Sequence, residues 1–113
     1  MHKRQKVAFT AAMDDARRAY RQQRWGDAFA SLERAHVLGQ TRVWPHWQSH
    51  WWMLKVGWRR GDGREVRGQL LRLPAALVLS RVWVPRGNTG GANVGPLRPM
   101  PMPDALRVLM EVD

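Results

Sequence analysis

The sequence predicts an all-α fold made of two antiparallel helical hairpins, an irregular C-terminal strap and a short final helix. Three observations point there. Apolar residues recur three or four apart from Lys6 to Leu73, the period of a helix buried on one face. The breaks between these stretches are short and rich in Gly and Asp, which leaves little room for anything but antiparallel neighbours. Most of the prolines gather in one segment, 84–103, which follows the periodic part instead of interrupting it. With 113 residues, 44% of them hydrophobic, residues 1–113 are expected to form a single helical domain with a modest core.

In the first stretch, Lys6 to Arg24, the residues Phe9, Ala12, Met13, Ala16, Ala19 and Tyr20 share a face. Trp25-Gly26-Asp27 is expected to break it, with Gly26 free to take positive φ and Asp27 capping the helix that follows. The second stretch, Ala28 to Leu38, places Ala28, Leu32 and Ala35 on one side, with Gly39 as its C-terminal stop. Ala16, Ala28, Leu32 and Ala35 stand at the separations by which a tetratricopeptide unit lets its two helices approach. The second hairpin does not repeat them, since Gly57 is followed twelve residues later by Gln69. A compact pair of hairpins is therefore expected, not a solenoid.

The third stretch starts around Pro45, which suits a first helical turn, and runs through His46, Trp47, His50, Trp51, Met53, Leu54 and Trp58 to Gly61-Asp62-Gly63. Its five tryptophans read as the apolar centre of the chain. Asp62 and Glu65 have capping-box spacing ahead of Val66, Leu70, Leu71 and Leu73, and Pro74 is expected to end or restart this helix. Ala75 to Trp83 continues as a short helix or an extended segment. Residues 84–103 should cross the helices as an ordered strap held by Val94, Leu97, Met100 and Met102. Asp104 then caps a last helix, Ala105 to Met110, with Leu106, Leu109 and Met110 inward.

Nineteen Lys and Arg against nine Asp and Glu leave a formal charge of +10. All the basic residues except Lys3, Lys6 and Lys55 are arginines scattered through every segment, so the charge by itself is weak evidence for a polyanion. A basic helical module that binds an acidic protein or nucleic acid is the alternative function it supports. The absence of cysteine excludes a disulfide framework, a thiolate metal site and a cysteine nucleophile. The apolar run behind the basic N-terminus is too short for a secretory leader, and none approaches the ~20 residues of a membrane span. A cytoplasmic chain without a membrane partner is expected. The Gly87 to Asn93 run lacks the ending of a phosphate-binding loop. Asn88, Thr89, Gly90, Gly91 and Asn93 still form a candidate nest for a small anion or substrate.

The strongest chemical signal is histidine. His46 and His50 are four apart on one helix face, the arrangement that lets two imidazoles share an ion. Glu33 and His36 on the preceding helix have the i, i+3 spacing by which helical bundles present metal ligands inward. If the turn at Gln40 to Val43 folds the two helices together, three imidazoles and one carboxylate converge. Such a nitrogen and oxygen set suits one divalent transition metal: zinc, iron, nickel or copper. An open ligand position would admit a small metal-dependent hydrolase or lyase as a further alternative. The bland alternative is a set of partly buried histidines hydrogen-bonded to the backbone, with Glu33 paired to an arginine.

The runs Leu32 to Gln40, His46 to Leu54, Gly61 to Leu73 and Gly87 to Val94 resemble a family of small bacterial proteins catalogued as domain of unknown function 3703. The likeness spans Phe9 to Leu109. It implies histidines at the positions of His36, His46 and His50 as part of the family pattern, and a setting in metal homeostasis or resistance. The Trp-rich stretch from Trp44 to Trp52 departs from that pattern.

Overall fold

The structure is a computed structural model that describes residues 1–79 and 86–110. The described residues form five helices, α1 (Lys3–Arg21), α2 (Trp25–Gly39), α3 (Val43–Arg59), α4 (Gly63–Leu79) and α5 (Asp104–Met110), and no strand. Helices α1 and α2 pack as one hairpin and α3 and α4 as the other, while α2 against α3 joins them and α5 closes on α1 and α2. The connections at 22–24, 40–42 and 60–62 are three residues each, too short for any but antiparallel succession.

The predicted small-residue contact is what brings the first hairpin together. Ala16, Ala28, Ala35 and Leu32 are all buried, so the backbones of α1 and α2 approach across alanines while Leu32 fills the gap. Burying that one leucine stabilises the fold by about 1.5–3 kcal/mol. Phe9, Met13, Phe29, Leu38, Met53, Val56 and Leu106 complete the core. Gly39 is needed as a close-contact residue, because a Cβ there would lie 2.8 Å from Pro45 and 2.9 Å from the Phe9 ring.

Several expectations give way to the local chemistry. The first break falls earlier than Trp25-Gly26-Asp27: α1 ends at Arg21, Gln23 takes the positive φ of 59°, and Gly26 is helical. Asp27 is therefore inside the first turn of α2, where it accepts from Arg24 at 2.6 Å and meets the positive end of the helix. Half of the Asp62/Glu65 box forms, since Asp62 Oδ1 accepts from Glu65 N at 3.0 Å, but the Glu65 carboxylate turns elsewhere. Pro74 does not stop α4, which runs on to Leu79. The expectations for 80–85, including Trp83, lie outside the described residues.

The largest correction concerns the tryptophans. Trp58 is 73% exposed, Trp44 60% and Trp51 42%, so these side chains are not the apolar centre. The face that α3 buries consists of His46, Ser49, His50, Met53, Val56 and Gly57. The strap is held partly as expected. Met102 packs against the core as expected, but Leu97 is exposed, and hydrogen bonds between residues 87–94 and the helices add to the hold.

Candidate metal centre

His46 and His50 project from successive turns of α3, and His36 meets them from α2 across the short 40–42 connection. Their Nε2 atoms form a nearly equilateral triangle: 3.0 Å from His36 to His46, 3.1 Å from His36 to His50 and 3.0 Å from His46 to His50. All three rings are buried. Glu33 is not brought into this group. Its half-buried carboxyl bonds Thr89 and lines a separate polar pocket of about 250 Å³ with Arg60, Asp62 and Glu65. Burial, with help from the nearby Glu65, raises its pKa against the lowering effects of Thr89 and Arg60.

The outer nitrogens settle the proton positions at two of the rings. His36 Nδ1 lies 2.7 Å from the carbonyl oxygen of Asn88, which can only accept, so this nitrogen carries the hydrogen. His50 Nδ1 lies 2.6 Å from Gln69 Oε1. The orientation of that amide follows from its other end, where the Nε2 group donates to Glu65 Oε2 at 2.5 Å and to Gly90 O at 2.9 Å. Gln69 thus offers His50 an acceptor, and His50 also carries its hydrogen on Nδ1. In their neutral forms both rings aim lone pairs at the centre of the triangle.

The rings are held neutral. Burial pushes His46 down to about 4 and His50 down to about 3, with His46 adding to the effect at His50 and Gln69 opposing it. Burial also takes His36 well below the usual imidazole range, reinforced by His50 and His46 and opposed by the Asn88 carbonyl. Two lone pairs facing each other at 3.1 Å without a hydrogen between them repel, and a cation at the centre of the triangle would relieve that repulsion. With metal–nitrogen bonds of ~2.0–2.1 Å, neighbouring nitrogens stand about 2.9 Å apart in octahedral and about 3.3 Å apart in tetrahedral coordination. The triangle fits one face of either without moving a ring by more than a few tenths of an ångström.

The strap supplies the surroundings. Asn88, itself buried, donates through Nδ2 to Gly95 O at 2.8 Å and Arg98 O at 2.7 Å, and its Oδ1 accepts from Gly90 N at 2.8 Å. Gly87 N donates to Gln40 Oε1 at 3.0 Å, and Ala92 N donates to the Glu65 carboxylate at 3.0 Å and 3.1 Å. Gly90, at φ 87°, lies so close to His36 that a Cβ would sit 2.6 Å from its ring. In the candidate anion loop, Gly91 presses on Phe29, Thr89 bonds Glu33 and Asn93 is exposed. The amides of Gly87, Gly90 and Ala92 serve the protein's own side chains.

Glu65 and Gln69 were not among the expected site residues, though a signal for them exists. With Leu73 and Ala76 they form the buried stripe of α4, and two polar residues at core positions one turn apart call for partners. Gln69 is also where the tetratricopeptide spacing fails in the second hairpin. The basic excess is partly offset by sequence neighbours: Arg17, Arg18, Arg24, Arg60 and Arg107 each pair with an aspartate.

Fold and site together define an all-α protein of two helical hairpins with a buried histidine triad sealed by a strap. The chain belongs to the family described as "Protein of unknown function (DUF3703)", whose model matches residues 3–110. The comparison with curated proteins finds no match, and neither does that with solved structures. No helix among the described residues is long and apolar enough to cross a membrane.

Proposed function

We propose that this protein binds one divalent transition-metal ion, zinc, iron, nickel or copper, through Nε2 of His36, His46 and His50. The observation that carries the reading is the triangle of buried, neutral imidazole nitrogens at 3.0–3.1 Å, with the hydrogens of His36 and His50 committed to acceptors on the far side. Acceptors behind the ligands are what metal-bound histidines use to fix tautomer and ring orientation. Asn88 and Gln69 fill that part here, and Glu65 holds Gln69 in place. Glu33 is one layer further out, bonded to Thr89 of the strap and close to Glu65. Metal homeostasis or resistance is the setting that the family resemblance implies for such binding.

Protein purified without a polyhistidine tag should carry close to one equivalent of metal, or take it up after dialysis. The His46→Ala/His50→Ala variant should hold none. Equal metal content in wild type and double variant would refute the site.

A further inference from the structure

The outer face of the second hairpin is built for contact. Trp44, Trp47 and Trp51 form a ladder along α3, with ring centroids 5.3 Å and 5.7 Å apart and planes within 9° and 7° of parallel. Trp51 and Trp58 then border a groove of about 430 Å³ whose other wall carries Val66 and Leu70 of α4. Beside it Leu70 is 56% and Leu71 76% exposed. Large apolar groups on a continuous surface of this kind mark an interaction site.

Charge selects the occupant. Helix α3 contains no Asp or Glu, and α4 contains only Glu65, which is buried. Lys55, Arg59 and Arg67 stand on the same two helices. The charged side chain that lines the groove, Lys55, is a cation. A second copy of this chain would bring the same cations against each other. Single-stranded nucleic acid would use the free faces of aromatic rings. In the ladder Trp47 has a stacked neighbour on each side, and the exposed Leu70 and Leu71 beside it have no ring to offer a base. Exposed indoles and leucines with basic side chains on the same helices match the boundary of a lipid bilayer, where indoles sit at headgroup level, leucines enter the acyl region and cationic groups stay at the phosphates.

We infer that the α3–α4 face docks on an anionic phospholipid surface, inserting Trp51, Trp58, Leu70 and Leu71 without spanning the bilayer. A search for apolar runs misses such a site, because the apolar residues come from two helices and alternate with cations.

The test mixes the full chain with vesicles of phosphatidylcholine alone and of an equimolar phosphatidylcholine and phosphatidylglycerol mixture, with binding read by sedimentation and tryptophan emission. The expected result is binding to the mixed vesicles with a blue shift, and at least about tenfold weaker binding to the neutral ones. Leu70→Ser/Leu71→Ser should weaken binding by about tenfold or more, with an unchanged circular dichroism spectrum because both side chains are exposed. The inference is overturned if the wild type stays with the supernatant, if both vesicles bind it equally, or if the double variant binds as tightly. It is also overturned if light scattering shows a dimer that the double variant breaks, or if single-stranded oligonucleotide binding is what the variant loses.

Discussion

Replacing Gly90 by alanine places a single methyl group against the histidine triad. Gly90 sits at φ 87°, a conformation that costs an L-residue about 1–2 kcal/mol. Its new Cβ would stand 2.6 Å from His36 Cδ2 and 2.7 Å from Cγ. Carbon atoms in contact rest at about 3.5–4.0 Å, so either the ring or the loop must retreat by about 1 Å. If the ring turns, the 2.7 Å bond from His36 to Asn88 breaks; if the loop lifts, the 2.9 Å bond from Gln69 to Gly90 O breaks. A lost buried bond costs about 1–3 kcal/mol. The total, about 2–5 kcal/mol, is a large share of the ~5–15 kcal/mol that holds a small domain together. Urea denaturation measures it directly. Gly26→Ala is the matched control, because nothing lies within 4 Å of its Cβ and the residue is helical, so it should stabilise by about 0.5–1 kcal/mol. If Gly90→Ala unfolds within about 0.5 kcal/mol of wild type, the close packing of strap on triad is wrong.

Two further outcomes follow from the buried groups. In the unfolded chain the histidines titrate near 6.5, whereas in the fold His46 titrates at about 4 and His50 at about 3. Over that interval the unfolded chain binds more protons, so the metal-free protein should be at full stability above pH 6.5 and lose it as pH falls, with the loss levelling off below the folded values. The slope is at most ~1.4 kcal/mol per pH unit for each histidine, and urea midpoints that stay level from pH 6.5 to pH 4 would contradict it. Glu65→Gln presents an amide NH2 where the carboxylate accepts from Gln69 and Ala92, so it should cost about 1–3 kcal/mol. It should also broaden the His50 Nδ1 proton resonance as Gln69 gains freedom to turn; an unchanged spectrum and unfolding midpoint would show that Gln69 is held by other means.

The histidine cluster was legible because helical spacing is a local property. His46 and His50 one turn apart, and a three-residue connection back to His36, are enough to bring three rings near one another. Glu33 met the same spacing rule and is absent from the group. A helix shows residues i and i+3 on adjacent parts of a face, and the angle between α2 and α3 decides which of them points inward. The tryptophans failed as core residues for a related reason. A face of α3 had to be buried, and composition favoured the aromatic one, but the contacts with α2, the strap and α4 took the face of His46, His50 and Met53.

By itself the sequence determined five helices, the approximate place of most of their breaks, the alanine contact of the first hairpin and the absence of thiolate donors. Each of these depends on residues within a few turns of one another or on simple presence and absence. The tertiary structure alone decided that Gln69, Glu65, Asn88 and Gly90 surround the triad, and that the aromatic side of α3 faces outward. Those relations join positions far apart in the chain, from His36 to Asn88 and from His50 to Gln69. Only the packing of helix on helix and strap on both brings such donors to their acceptors, since a buried hydrogen-bonding group must find its partner wherever the fold places one.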